Sequence, residues 1–396
     1  MRPRALTLLP LAVATVTLST QAVFLLGAGF FQIGPEFGIG PFGLGLLTAA
    51  FFLTAAATSA PLGRWVQRVG WQRAMRWNLR ISASMLVLIP WLATGPIAFG
   101  ILLVLAAAVY GASNPAANQA LADQTNPAWQ ATIFGTKHAG IPASTLLAGL
   151  AVPLVVDRHG WRWAFLIAAA LAVAVSFVVP RRQMPAPLVS ETADTDPAPP
   201  TPVRDLLLLA VGSSFATWGA IALGTYLVTA TVDLGFSAAA AGTLQFVGSA
   251  VSISARVVAG VITDRTGGRG FTGIVMLASV GALMFALLPF ASGAIYMALV
   301  VAAFATGWGW PGLMTYTVVR ANRASAASAS AITQAGVFVG AGGVPIILGA
   351  VIERWSFDGA WVTAALGLVI AAVVVGTVGG RLSPRTDTPN PSHTTE

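Results

Sequence analysis

The stretch that decides the fold is Gly260-Val-Ile-Thr-Asp264-Arg265-Thr-Gly267-Gly268-Arg269, a short basic loop after a long apolar run. A second copy stands about 196 residues earlier as Gly63-Arg64-Trp-Val-Gln67-Arg68-Val-Gly70-Trp-Gln-Arg73. Other landmarks recur at nearly the same offset. Gly111 and Pro115 return as Gly307 and Pro311, Gly140 as Gly336, and Asp157-Arg158 as Glu353-Arg354. A repeat of half the chain is too long for a solenoid unit, which runs to roughly 20–50 residues. It describes two homologous bundles packed as halves, with a site between them.

Around the repeated loop the chain is membrane-grade. Of its 396 residues 56% are hydrophobic and 9% charged, where a soluble globular protein carries about 25% charged residues. A crossing helix needs about 20 apolar residues. Spans are expected near 6–30, 43–63, 75–94, 97–121, 130–156 and 161–180, and again near 205–231, 238–262, 271–290, 293–319, 326–352 and 358–380. These runs are too uniformly apolar for barrel strands, so the fold class is all-α, with twelve transmembrane helices as two parallel six-helix repeats. The first bundle is expected over 1–180, a Pro-rich linker over 181–204, the second bundle over 205–382 and a disordered tail over 383–396. The basic N-terminus followed by an apolar run has the form of a signal peptide. Its repeat counterpart at 206–230 lies mid-chain, with Gly224 matching Gly27, which favours a retained first span.

Charge sets the expected orientation. Sixteen arginines fall on the side of the repeated loop and three, Arg158, Arg162 and Arg354, on the other. By the positive-inside rule both termini are cytoplasmic, in a multi-pass protein. The net charge of +8 is thus topological, and no nucleic-acid partner is implied. Tryptophans near span ends, among them Trp91, Trp129, Trp161, Trp355 and Trp361, are expected at the membrane interface. Cysteine is absent, no nucleotide-binding loop occurs and the three histidines form no metal cluster. The spans hold no paired nucleophile and base, so neither enzymatic activity, nor a metal, nor a cofactor is expected.

The loop resembles the G-x-x-x-D-R-x-G-R-R motif of the major facilitator superfamily, and the repeat, the six-plus-six topology and the central linker agree with it across nearly the whole chain. The resemblance implies a secondary transporter working by alternating access, in a bacterial cytoplasmic membrane and as a monomer. It also implies that Gly63, Arg68, Gly70, Gly260, Asp264, Arg265 and Gly267 form a gating latch at the cytoplasmic helix ends. Glycine admits close helix approach, and Asp with Arg supplies charge-assisted hydrogen bonds. Gln67 stands where the family pattern has Asp, so the two halves are not expected to gate alike.

Two formally charged residues lie inside spans, Lys137 in the fifth and Arg256 in the eighth, each roughly 12 Å from the cytoplasmic end at 1.5 Å per residue. Every Asp and Glu lies in a loop, in the linker, in the tail or at a span end. One reading makes the two cations an anion site. The other has Lys137 reaching for the interface and Arg256 bonding helix carbonyls. The Arg256-x-x-x-Gly260-x-x-x-Asp264-Arg265 spacing resembles family members that carry organic or small inorganic anions. Gly135-Thr-Lys137-His138-Ala-Gly140-Ile-Pro142 resembles the fifth span of cyanate-transporter-like members. His138 is a candidate proton carrier or a packed neutral ring. Candidate cavity residues are Asn114, Asn118, Gln21, Gln245, Gln334, Tyr226, Trp218 and Trp310; interhelical bonding or packing is the alternative for each. Since Trp310 occupies the repeat position of Asn114, one cavity wall is expected to be aromatic and the other amide. The leading expectation is transport of a small organic or inorganic anion, driven by proton coupling or anion exchange. A proton-driven efflux pump for hydrophobic drugs or metabolites is the alternative.

Overall fold

A computed structural model describes residues 5–121, 129–181, 201–266, 270–322 and 325–382. Most of the expected linker, the tail over 383–396 and Gly267 lie outside the described residues. The described chain is helical and without strands. Ten helices are long and apolar enough to cross a membrane: Pro41–Val69, Pro96–Leu121, Gln130–His159, Trp161–Val178, Val203–Asp233, Ala238–Thr266, Gly270–Phe290, Gly293–Ala321, Ser328–Arg354 and Phe357–Leu382. Leu8–Ser19 and Gln21–Ala28, bent by 55° at Thr20, make an eleventh span. The remaining expected segment is Trp71–Leu92, whose 22 residues reach about 33 Å. Arg73, Arg76, Asn78 and Arg80 lower its hydropathy below that of the others, yet its length and place in the bundle are those of a third span.

Repeat-equivalent contacts build the two bundles. The third span packs on the sixth as the ninth packs on the twelfth, and the second on the fourth as the eighth on the tenth. Across the halves the second span meets the eleventh and the fifth meets the eighth. The first and seventh spans cross at the matched glycines: a Cβ on Gly27 would stand 2.9 Å from the Thr225 carbonyl, and one on Gly224 2.9 Å from the Phe24 ring. Without hydrophobic drive inside lipid, such crossings depend on small residues that let backbones touch.

The tryptophan expectation needs partial correction. Trp91, Trp129 and Trp355 are exposed, but Trp161 and Trp361 are buried. Trp161 packs edge-on against Phe37 and Phe165, and Trp361 lies against Phe285. Aromatic neighbours on the same bundle turn both rings inward.

Several spans break at mid-depth. The fourth is interrupted at Gly111–Ala112 and the tenth at Gly307–Trp310, one repeat apart. The fifth is interrupted at His138–Ala139, and the seventh carries a wide π turn over Ala222–Tyr226. Irregular backbone at membrane depth is tolerated where other groups satisfy the freed carbonyls or where it lines a cavity. Both conditions are met here.

Candidate functional site

Two connected cavities lie between the halves. The inner one, about 70 Å³, is lined by apolar side chains, including Val16, Phe52, Ile141, Trp310, Met314 and Val337, and by the hydroxyl-bearing Tyr110, Ser213, Thr217 and Thr333. The outer one, about 470 Å³, runs toward the arginine-rich end and reaches Asn118, Leu121, Gln130 and Ala326. Six residues line both: Asn114, Lys137, His138, Thr315, Gln334 and Phe338. They come from the fourth, fifth, tenth and eleventh spans and ring the passage between the two spaces.

Lys137 ends the first helical segment of the fifth span and is 7% exposed. Among the described residues its ammonium has neither a hydrogen-bond nor an ion-pair partner, and no Asp or Glu lines either cavity. A cation at such depth costs roughly 2.5–3.5 kcal/mol on insertion scales. Lys137 therefore stands as an uncompensated positive charge in the passage.

Arg256, 2% exposed, also lines the inner cavity but departs from the expected unpaired cation. Its Nε and Nη2 donate to the Trp308 carbonyl at 3.0 and 2.5 Å, and its Nη1 donates to the His138 carbonyl. The guanidinium also stands 5.5 Å from the centre of the Trp308 ring. Both carbonyls lie at helix breaks. Pro142, four residues after His138, has no N–H to offer that carbonyl, and Trp308 sits in the gap before Pro311. Arg256 thus satisfies acceptors that proline and glycine release, and its charge is solvated by backbone dipoles instead of a carboxylate.

The other candidates divide. Asn114, Gln334, Trp310 and His138 line the inner cavity, and Asn118 lines the outer. Trp310 also anchors its indole N–H on the Ala216 carbonyl at 3.2 Å, and the His138 ring nitrogen Nε2 pairs with the Thr315 hydroxyl at 2.9 Å. Gln21, Gln245, Tyr226 and Trp218 lie away from both cavities. Gln21 exchanges hydrogen bonds with Ser144, donating to its carbonyl at 3.4 Å and accepting from its hydroxyl at 2.9 Å. Gln245 donates to the Thr145 carbonyl at 3.2 Å. These two amides clasp adjacent residues of the fifth span from opposite halves. Trp218 packs against Phe215 and over Gly367. Thr315, Phe338 and Phe52 were not singled out from the sequence; each is one of many similar residues in apolar runs, and only the helix breaks and crossings turn them inward.

The ends of the cavity system differ. At the end away from the arginines the second and eleventh spans are closed on each other. A Cβ on Gly349 would lie 2.6 Å from the Pro41 carbonyl. The Tyr226 hydroxyl donates to the Pro345 carbonyl at 2.7 Å and reaches that of Pro41 at 3.3 Å. Glu353 accepts from the Phe42 N–H at 3.0 Å, at the start of the second span.

At the arginine-rich end only one seam is closed among the described residues. Asp264 accepts from the N–H groups of Ala131 and Thr132 at 3.0 and 2.9 Å and from the Thr132 hydroxyl at 2.7 Å, capping the fifth span. Beside it a Cβ on Gly260 would stand 2.7 Å from the Thr132 Cα. On the repeat-related seam Gln67 is exposed, and Gly63 faces only Pro115, inside its own bundle. There Ser59 and Ser330 line the outer cavity in place of a contact. Arg68 lies in the last turn of the second span, and Gly70 ends that span in a positive-φ conformation (81°). Arg265 sits one residue past the capping Asp264, in the last turn of the eighth.

Comparisons with known proteins agree with this architecture. The family model described as Major Facilitator Superfamily matches residues 11–334 and again 209–395. Among solved structures, the chain is similar to a bacterial homologue of the human lysosomal transporter Spinster. Against its inward-facing, unoccupied form the TM-score is 0.69 at 16% identity, covering 96% of this chain and 97% of that one. Against its inward-facing, occupied form the TM-score is 0.66, with the same identity and coverage. The transporter FucP in an outward conformation gives a TM-score of 0.65 at 15% identity, over 93% of this chain and 98% of that one. No curated protein matches the sequence.

Proposed function

Because the chain belongs to the Major Facilitator Superfamily, a family of membrane transporters that work by alternating access, we propose that its cargo is a small anion received at Lys137. One observation carries this reading: a buried ammonium with no counter-charge among the described residues, placed where two cavities between the halves meet. An anion entering the passage supplies the missing charge, in a low-dielectric setting where the interaction is strong. Asn114, Gln334 and Thr315 stand around the same passage with hydrogen-bonding groups to orient it. The arginine-rich end is cytoplasmic by the positive-inside rule, so the larger cavity faces the cytoplasm and the arrangement is inward-facing. The described cavity walls hold no carboxylate to carry a proton, which supports exchange of one anion for another as the driving reaction.

A pump for hydrophobic compounds would use the same apolar walls. The uncompensated ammonium favours the anion, since it repels lipophilic cations and gives a neutral drug nothing in return. The test is a thermal-shift screen of the purified protein against carboxylates, cyanate, nitrate and aromatic acids, run beside Lys137→Met. Ligand at one hundred times its Kd stabilises by about 2.7 kcal/mol. Stabilisation by an anion that vanishes in Lys137→Met supports the proposal. Stabilisation by lipophilic cations alone, or by anions equally in both proteins, refutes it.

A further inference from the structure

We propose that the cargo is a short dicarboxylate taken end-on: one carboxylate enters the inner cavity beside Arg256, and the other stays in the passage on Lys137. This inference rests on the anion reading and narrows it.

The first ground is the amount of positive charge. Lys137 lines both cavities and Arg256 the inner one, and among the described residues no Asp or Glu lines either. The carbonyls that Arg256 bonds are neutral, so its charge stands undiminished beside that of Lys137. A guanidinium has five N–H donors. Three serve the Trp308 and His138 carbonyls, which leaves one on each Nη without an acceptor among the described residues. A carboxylate that takes these breaks no bond at either helix break. The two cations belong to opposite halves, yet their helices touch at this level. A Cβ on Gly135, in the turn that ends at Lys137, would stand 2.6 Å from the Arg256 carbonyl. A cargo with one charge would leave a second buried cation unbalanced there; a cargo with two leaves none.

The second ground is the size and lining of the inner cavity. Its volume, about 70 Å³, is under half the roughly 150 Å³ of an apolar cavity that holds benzene, so it admits a carboxylate and no ring. Tyr110, Ser213, Thr217 and Thr333 put hydroxyl-bearing side chains on its wall, a lining that suits a carboxylate better than an alkyl group. The passage and the outer cavity, about 470 Å³, leave room for the rest of a short chain.

Lys137 is the only lysine in the sequence. Protein grown with lysine labelled at its ε-carbon therefore yields one side-chain signal from this chain, located at the passage. The experiment titrates that signal with malonate, isovalerate, formate and phthalate and follows melting temperature in parallel. Isovalerate keeps malonate's heavy-atom skeleton but replaces one carboxylate by an isopropyl group. Malonate is expected to bind at least tenfold more tightly than each of the other three. Ala341→Leu, which fills part of the inner cavity and keeps both cations, is expected to weaken malonate severalfold more than formate. Arg256→Gln, whose amide still donates to a freed carbonyl, is expected to bring malonate down to the level of isovalerate. The comparison of the four anions in the parent protein decides the proposal whether or not that variant folds.

Isovalerate or formate binding as tightly as malonate would overturn the two-charge claim, and phthalate binding as tightly would overturn the end-on fit, while each leaves the anion reading standing. If none of the four anions moves the lysine signal or the melting temperature, this inference and the anion reading fall together.

Discussion

The backbone carbonyl of His138 accepts a hydrogen bond from the guanidinium of Arg256, joining the break of the fifth span to the eighth span of the other half. The same guanidinium holds the Trp308 carbonyl in the break of the tenth span. One arginine thus ties three spans together where proline and glycine have removed their own hydrogen bonds. Its neighbour in the passage, Lys137, has no such employment. Two cations of similar depth therefore stand differently, one bonded to the carbonyls at the breaks and the other without a partner among the described residues.

The single closed seam at the arginine-rich end predicts a gain-of-latch variant. Asp264 caps the fifth span; its repeat partner Gln67 has no carboxylate to offer the first turn of the eleventh span, Ala326–Arg354. Gln67→Asp should add that cap, worth about 1 kcal/mol, and draw the second and eleventh spans together. The chain has no cysteine, so Ser330→Cys gives a clean reporter in the outer cavity. Labelling of that cysteine should slow severalfold in the Gln67→Asp background; an unchanged rate would show that the seam is held open by something else.

Close backbone approach between the fifth and eighth spans predicts sensitivity at Gly260. An added Cβ would stand 2.7 Å from the Thr132 Cα and 2.8 Å from the Ala131 carbonyl, both backbone atoms that cannot swing aside. Gly260→Ala should therefore separate the helix ends and strain the Asp264 cap, lowering stability by about 1–3 kcal/mol. Gly63→Ala is the control: its Cβ would meet Pro115 at an ordinary 3.7 Å, so its melting temperature should stay near that of the parent.

Acid sensitivity is predicted at the opposite end. Glu36 accepts hydrogen bonds from Arg162, which hold its carboxyl below the usual carboxylate range, and from the Trp161 indole at 2.8 Å. A depressed folded value means the contribution is full above the unfolded value, about 4.3, and is lost as pH falls through the lower folded one. Both side chains are substantially solvated, so screening keeps the pair below about 1 kcal/mol. Glu36→Gln should cost that amount at neutral pH and flatten the decline in melting temperature below about pH 5, when the two proteins are compared across pH.

The repeat made much of the fold legible. Gly27 and Gly224 match in sequence and meet at the crossing of the first and seventh spans, and Gly111 and Gly307 mark equivalent breaks. Arg256 shows what was hidden. Its depth could be counted along the helix, but its hydrogen bonds go to carbonyls on two other spans, freed by Pro142 and by the Gly307–Trp310 gap. Which carbonyl is left over, and which side chain stands beside it, depends on packing that a single chain's periodicity does not encode. The buried amides teach the same lesson. Asn114 and Gln334 face the cavity while Gln21 and Gln245 grip the fifth span, and all four lie in similar apolar runs.

The division of labour between the two cations has a direct measurement: the melting temperatures of Lys137→Met and Arg256→Met in ligand-free detergent solution. Removing an uncompensated ammonium from the membrane interior should leave stability unchanged or raise it. Removing the guanidinium should strip two buried carbonyls of their donors and cost about 1–3 kcal/mol for each. The prediction is a melting temperature at or above the parent's for Lys137→Met and well below it for Arg256→Met. Equal losses in the two variants, or a larger loss for Lys137→Met, would show that the lysine is also bound into the structure and would contradict the account.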